Sequence, residues 1–249
     1  MSSVIALSPN LQYPVLGLPV DCMEDYLNYL LSRLGQGLGT HVVTINAEMA
    51  MEAEQNFKLA RIVHQAELVV PDGSGIILYL RFKGVSQKRC PGIELAESLL
   101  LQAANLNENN SIFFYGGKPG VAMAAAASWQ DKIGGEKLAI ATQHGYLKPE
   151  EELELLQTLK DSQPRVIFVG LGVPRQEFWI AENRHICPHS IWVGVGGCFD
   201  IWAGVKKRAP AWFRDNHLEW LYRLYQEPWR WRRMLALPKF AIRAIMAKS

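Results

Sequence analysis

The sequence has no CxxC pair. Its four cysteines, Cys22, Cys90, Cys187 and Cys198, stand far apart. That spacing suggests neither a zinc site nor a disulfide framework, and it fits a reducing compartment. No run of about 18 uncharged apolar residues occurs, so no spanning helix is expected. No basic-then-apolar segment with small residues opens the chain, so no secretory leader is expected. Repeats and low-complexity tracts are missing as well. So are the complete phosphate motifs: Gly116–Lys118 lacks the GxxxxGK[ST] spacing, and Gly170-x-Gly172 lacks the third glycine of the dinucleotide fingerprint. These absences count against a kinase, an ATPase or an ordinary NAD enzyme.

What is present is a chain of ordinary globular composition, 249 residues long with 49% hydrophobic and 20% charged residues. That is enough to bury a full core and too apolar for disorder as the main state. The net charge of +2 conceals an asymmetry. Residues 1–205 carry 15 Lys and Arg against 21 Asp and Glu, a balance of −6, whereas residues 206–249 carry 11 against 3, a balance of +8. A basic tail on an acidic body points to an anionic partner for the tail.

Short apolar runs at His41–Ile45, Glu67–Val70, Ser111–Tyr115, Lys137–Ala141, Arg165–Val169 and Ser190–Val193 read as strands. Helical patterns lie before and between them: Cys22–Leu34, Ala47–His64, Gly92–Asn105, Gly120–Ile133, Glu150–Asp161 and Arg175–Asn183. Near-continuous apolar strands separated by helices predict a Rossmann-like parallel sheet covered on both faces, in the α/β class. After Gly204 the pattern changes. Ala211–Gln226 and Trp229–Ala247 read as helices, with Pro228 in the first turn of the second and Pro238 kinking it. The expected division is a catalytic core over 1–205 and a helical appendage over 206–249.

Three predicted strands end in glycine-rich loops: Gly116-Gly117-Lys118-Pro119-Gly120, Gly170-Leu171-Gly172-Val173-Pro174 and Gly194-Val195-Gly196-Gly197. Glycine permits close approach of backbone to a phosphate, and ligands of open α/β sheets bind beyond the carboxyl ends of the strands. One such loop alone is more simply a tight turn; three together suggest a nucleotide-diphosphate crevice. Asp72, in Val70-Pro71-Asp72-Gly73-Ser74, follows a buried strand at the same edge. It is a candidate general base for a hydroxyl acceptor, or a turn residue capping the next helix. Thr44 and Asn46 end the preceding strand and would lie beside it, to bond a sugar or phosphate; Asn46 alternatively caps its own helix. His41, His64, His144, His185, His189 and His217 show no ligand spacing; His144 either lines the cleft or is structural.

These segments occur in a fixed order: Thr44-Ile45-Asn46-Ala47-Glu48, Pro71-Asp72-Gly73, Gly116–Gly120, Gly170–Glu177, Gly194–Asp200, Lys207-Arg208-Ala209-Pro210, Glu219–Pro228 and Arg232-Arg233. In that order they resemble the WecG/TagA/CpsF glycosyltransferases, from about Leu16 to about Arg233. The resemblance implies an inverting transferase that takes a UDP-sugar, often UDP-N-acetylmannosamine, and in some members UDP-glucose. The implied acceptor is a sugar on undecaprenyl diphosphate at the cytoplasmic leaflet, for teichoic-acid or other surface polysaccharide. It further implies Asp72 as base, Thr44 as a substrate contact and Gln176 in donor binding. No Asp-x-Asp metal motif belongs to that family pattern and none is found here, so metal-independent chemistry with no cofactor is expected. Association of the enzyme with itself through the core is a further expectation. Cys198 and Arg175 depart from the commoner alanine and lysine.

The tail holds eight aromatics, among them Trp212, Trp220, Trp229 and Trp231, beside Arg214, Arg223, Arg230, Arg232, Arg233, Lys239 and Arg243. Phe213, His217, Trp220, Leu221 and Leu224 share one face by helical spacing. Tryptophan beside arginine on an amphipathic helix is the composition of an interfacial membrane segment, so a peripheral position on the inner face of the plasma membrane is expected. Arg208, Arg214 and Arg223 are candidates to hold a diphosphate. A plain helical pair packed on the core and a nucleic-acid surface are the competing readings; no nucleic-acid fold accompanies the tail. For the whole chain, the rivals to a transferase are a non-catalytic nucleotide-binding, membrane-associated protein and an oxidoreductase on a similar sheet.

Overall fold

A computed structural model describes residues 11–106, 111–134 and 139–247. The chain opens with an antiparallel hairpin, β1 (Leu11–Val15) and β2 (Leu18–Cys22), in register Val15↔Leu18. Its two-residue turn places Leu16 at φ 49° and Gly17 at φ 84°. Helix α1 (Tyr26–Gly35) follows, capped by the Asp25 carboxylate on the Asn28 N–H. The predicted helix from Cys22 starts late because Cys22 belongs to β2.

The α/β core then runs β3 (Thr40–Ile45), α2 (Ala47–Gln55), α3 (Phe57–Gln65), β4 (Leu68–Pro71), α4 (Ser74–Phe82), α5 (Gly92–Leu106) and β5 (Ser111–Gly116). It continues through α6 (Val121–Ile133), β6 (Ala139–Gln143), α7 (Pro149–Ser162), β7 (Val166–Gly170), α8 (Arg175–Asn183), β8 (Ile191–Gly194) and α9 (Cys198–Trp202). Lys137 and Leu138, the start of one predicted strand, lie outside the described residues. The single helix predicted over Ala47–His64 is two, because Asn56 leaves helical geometry and its carboxamide accepts from Leu59 N at 3.1 Å, starting α3 anew.

Six strands form one parallel sheet in the order β4-β3-β8-β7-β5-β6. Side chains alternate between its faces. Phe114 and Phe168 turn to one side and join Leu30, Leu99, Trp129 and Phe199. Phe113 and Ile167 turn to the other, against Leu159, Trp179 and Trp192. The hairpin guards the free edge at β4: buried Asp21 accepts the outward Val69 N–H at 2.7 Å, occupying a donor that would otherwise invite another strand.

Beyond α9 come α10 (Ala211–Asp215), α11 (Glu219–Gln226), a 3-10 turn at Pro228–Arg230, α12 (Trp231–Met234) and α13 (Ala236–Met246). The long helices expected here are broken. His217 takes φ 61° between α10 and α11, which scatters the apolar face drawn through it. The second break falls at Leu235, and Pro238 sits in the first turn of α13, where proline's missing N–H costs nothing. The C-terminal segment is fastened to the core. Phe240 is buried against Tyr79 of α4, with ring centroids 6.1 Å apart. Ion pairs join Arg233 to Glu48 at 2.6 Å, Arg243 to Glu54 at 3.0 Å and Lys206 to Asp200 at 2.7 Å, and Arg208 to Glu94. Much of the tail's positive charge therefore faces the body's own carboxylates. Phe240→Ala should lower unfolding free energy by about 3 kcal/mol, read from urea denaturation; an unchanged midpoint would mean that α13 contributes little to the fold.

Candidate functional site

The carboxyl ends of β3, β4, β7 and β8 surround a polar cavity of about 570 Å3. Thr44, Asn46, Asp72, Gly172, Gln176, Gly196, Gly197, Arg208 and Arg223 all line it. The sheet and the C-terminal segment bring these residues together from six separate stretches of sequence.

Asp72 sits where β4 gives way to α4. Its N–H and that of Gly73 both donate to the Ile45 carbonyl, at 3.0 and 3.2 Å, so the turn is bolted to the end of β3. The carboxylate accepts from Gly92 N at 3.1 Å, at the start of α5. A side chain at Gly92 would strike Thr44, whose Cγ2 lies 2.9 Å from the Cβ position, so glycine is what lets α5 reach the carboxylate. Arg89 approaches the same oxygen at 3.6 Å and donates through Nε to the Asp72 carbonyl at 2.5 Å. Arg89 also donates to Glu219 at 2.9 Å, and Glu219 accepts from Arg223 at 3.0 Å. Two carboxylates and two guanidiniums thus interleave, half from the core and half from α11.

The Asp72 side chain is 22% exposed and lines the cavity. Loss of water pushes its pKa up; Arg89, Arg223 and the Gly92 N–H pull against that, and the net direction is upward. Burial also pushes Glu219 up, but Arg223 and Arg89 outweigh it and hold Glu219 below the usual carboxylate range. One acid therefore stays ionised as a structural partner, and the other keeps proton affinity and access to the cleft. That division suits Asp72 to take a proton.

Opposite lies the Gly194–Gly197 loop. Gln176 is buried, its carbonyl oxygen accepting Gly196 N at 3.0 Å and its amide donating to Glu177 at 2.9 Å. Glu177 in turn meets His41 at 2.8 Å beneath the sheet edge. Gln176 thus shapes the loop that faces a ligand, with both ends of its amide engaged by the chain. Asn46 likewise caps α2 through Met49 N at 2.9 Å, while still bordering the cavity. Thr44 Oγ1 makes one long contact, 3.5 Å to the Gly194 carbonyl, which leaves it available.

Four sequence candidates fall elsewhere. Gly116 and Gly117 do not line the cavity. Gly116, at φ 135°, abuts the Gly170 backbone, where a Cβ would come within 2.5 Å, and Gly117 N donates to the Gly170 carbonyl at 3.1 Å. These glycines close β5 against β7. Arg214 reaches Glu94 at 3.7 Å outside the cavity. His144 does not line it either; its ring accepts from Tyr146 N at 3.3 Å, and Tyr146 is the residue that borders the opening. Sequence reasoning missed Arg89 and the role of Glu219. Arg89 follows no motif, and only the folded chain brings it to Asp72. Among the described residues no three His, Cys, Asp or Glu side chains gather as a metal site.

A cation-lined cleft at the mouth of a parallel sheet, bordered by a carboxylate of raised proton affinity, has the chemistry for group transfer from an anionic donor. The comparisons narrow that class. Residues 13–249 match the model of the glycosyl transferase WecG/TagA/CpsF family. A protein of Bacillus spizizenii named N-acetylglucosaminyldiphosphoundecaprenol N-acetyl-beta-D-mannosaminyltransferase is 38% identical over 208 residues, covering 83% of this chain and 79% of its own length. A Bacillus subtilis protein of the same name is 32% identical over 222 residues, covering 88% and 85%. The chain belongs to the WecG/TagA/CpsF glycosyltransferase family, and it is a glycosyltransferase. No helix among the described residues is long and apolar enough to cross a membrane.

Proposed function

We propose that this enzyme transfers an N-acetylmannosamine-type hexosamine from a UDP-sugar to a sugar carried on a polyprenyl diphosphate, in the assembly of a cell-surface polysaccharide. The observation that carries the reading is Asp72: a half-buried carboxylate with raised proton affinity, open to a cleft bordered by Arg208, Arg223, Arg230 and Arg233. The names of the two relatives support the acceptor and the sugar.

In the proposed reaction Asp72 takes the proton of the acceptor hydroxyl as its oxygen attacks the anomeric carbon. The bond from that carbon to the donor's diphosphate breaks, UDP leaves with the electron pair, and the anomeric configuration inverts. Arginines at the cleft stabilise the charge that develops on the departing diphosphate. Thr44 and the Gly172 and Gly196–Gly197 loops are assigned to the donor. Gln176 acts on the donor through the loop it holds. The reaction is written without a metal ion or cofactor.

The test is a screen of UDP-hexoses and UDP-hexosamines against a prenyl-diphosphate-linked N-acetylglucosamine. The expected result is a disaccharide-lipid from UDP-N-acetylmannosamine, formed equally in EDTA. Product from another donor alone would replace the sugar; none from any donor would overturn the reading.

We place the enzyme at the inner face of the plasma membrane, held peripherally. Support comes from aromatics of the C-terminal segment that point away from the core: Trp212 is 62% exposed, Tyr225 82% and Trp231 54%. Aromatic rings beside arginines favour the boundary between headgroups and water. Replacing these three by alanine should weaken co-sedimentation with vesicles containing anionic lipid by tenfold or more; unchanged binding would remove them from the membrane contact.

A further inference from the structure

A second cavity, of about 460 Å3, opens on the far side of Asp72. Much of its lining comes from α4 and α13, joined by Trp220 of α11 and Met234 of α12. Apolar side chains dominate it: Leu78 and Phe82 from α4 face Leu237, Ala241 and Ile245 from α13. Several of these are strongly exposed for such residues, Leu78 at 58%, Phe82 at 52% and Ile245 at 65%. Apolar side chains exposed together along one groove, rather than scattered singly over the surface, mark a binding site for something apolar.

The groove is continuous with the polar cleft. Asp72, Arg89, Glu219, Arg223, Arg230 and Arg233 border both. A ligand spanning the two would lay a greasy chain between the helices, its anionic group among guanidiniums and a hydroxyl near Asp72. That sequence of chemistries is a prenyl chain, a diphosphate and a sugar. Membrane binding by the exposed aromatics would need no groove beside the base, and no such charge order along it.

We propose that the α4–α13 groove holds the first isoprene units of a polyprenyl diphosphate acceptor, drawing them out of the bilayer toward the cleft. The proposal rests on the acceptor assigned above and adds where its lipid lies. The gap between the helices is set by Gly75, whose Cβ position is 3.3 Å from Ala47 and 3.7 Å from the Phe240 ring. At that contact the helices touch, and Leu78 and Ala241 beside it line the cavity. A groove of this size takes a short stretch of isoprene chain, and the rest of a long chain would stay in the membrane.

The experiment measures binding of methyl, geranyl and farnesyl diphosphate to the full chain by calorimetry, without detergent or vesicles and below any micelle concentration. The dissociation constant should fall at least tenfold from methyl to geranyl and little further once the groove is full. Ala241→Trp fills the groove from α13 and Leu78→Ser makes the opposite wall polar; both sites are exposed enough for the fold to tolerate the change. In each variant the methyl-to-geranyl ratio should drop toward one. A ratio near one in the wild type, or a tenfold ratio kept in both variants, overturns the groove. Transfer is followed in parallel with the same chains carrying N-acetylglucosamine. If prenyl chains bind as expected but receive no sugar, the acceptor reading falls and the groove stands. If methyl- and farnesyl-linked acceptors are used with equal KM, the acceptor reading stands and the groove falls.

Discussion

Asp72→Asn should reduce kcat roughly a thousandfold, the usual contribution of a positioned general base, while leaving the KM for the nucleotide sugar within a few-fold of wild type. Asparagine matches the shape of aspartate and still accepts from Gly92 N, so the β4–α4 turn is preserved. What disappears is the proton acceptor. The pH profile supplies an independent check. The base works only when ionised, so kcat/KM should rise with pH through the Asp72 pKa. Burial lifts that value, and the acidic limb should lie above the ordinary aspartate value of about 4. For stability the same shift acts oppositely: the folded state holds the proton more tightly than the unfolded chain, so ionising Asp72 opposes folding as pH rises through that window. Turnover near wild type in the Asn variant would remove Asp72 from the chemistry.

Arg89→Ala should be the most destabilising single change at the site, by about 3 kcal/mol, measured as a fall in the urea midpoint. Arg89 is 17% exposed and serves three partners at once: the Asp72 carboxylate, the Asp72 carbonyl and Glu219, whose side chain is 8% exposed. Its removal leaves a largely buried carboxylate with only Arg223 beside it. Two pH effects follow. Asp72 loses a neighbour that lowers its pKa, so the acidic limb of activity should move to still higher pH. Glu219, held below the usual range in part by Arg89, contributes stability that is present above its unfolded value of about 4.3 and lost as pH falls through the depressed one. In the variant that loss should begin at higher pH. Arg89→Lys keeps charge but not the fork, and should recover only part of the stability. An unchanged midpoint with an unmoved acidic limb would show that Arg223 alone holds the cluster.

The parallel sheet was legible because buried strands such as Val166–Gly170 are uninterrupted apolar runs, and because a carboxyl-edge site follows from that topology. The hairpin was not. Its turn is Leu16-Gly17, without the usual Asn or Asp, and Pro14 faces Pro19 across the ladder, so nothing local announces two strands. Glycine was read too uniformly. Gly172 and Gly196 border the cleft, whereas Gly116 answers to the neighbouring strand, and sequence alone does not separate a glycine that faces a ligand from one that faces backbone. The charge asymmetry was real but was read as pointing outward. Glu48, Glu54 and Glu94 of the body take up arginines of the tail, so only part of the excess is free for an anionic partner. Arg89 was beyond reach for a plainer reason: its meaning lies in contacts 17 and 130 residues away.

Because Glu219 and Arg223 arrive from α11, the pocket around Asp72 is completed only by residues near the end of the chain. A nascent polypeptide carries Asp72 and Arg89 well before it carries Glu219 and Arg223, so the last two members of the cluster are also the last to be made.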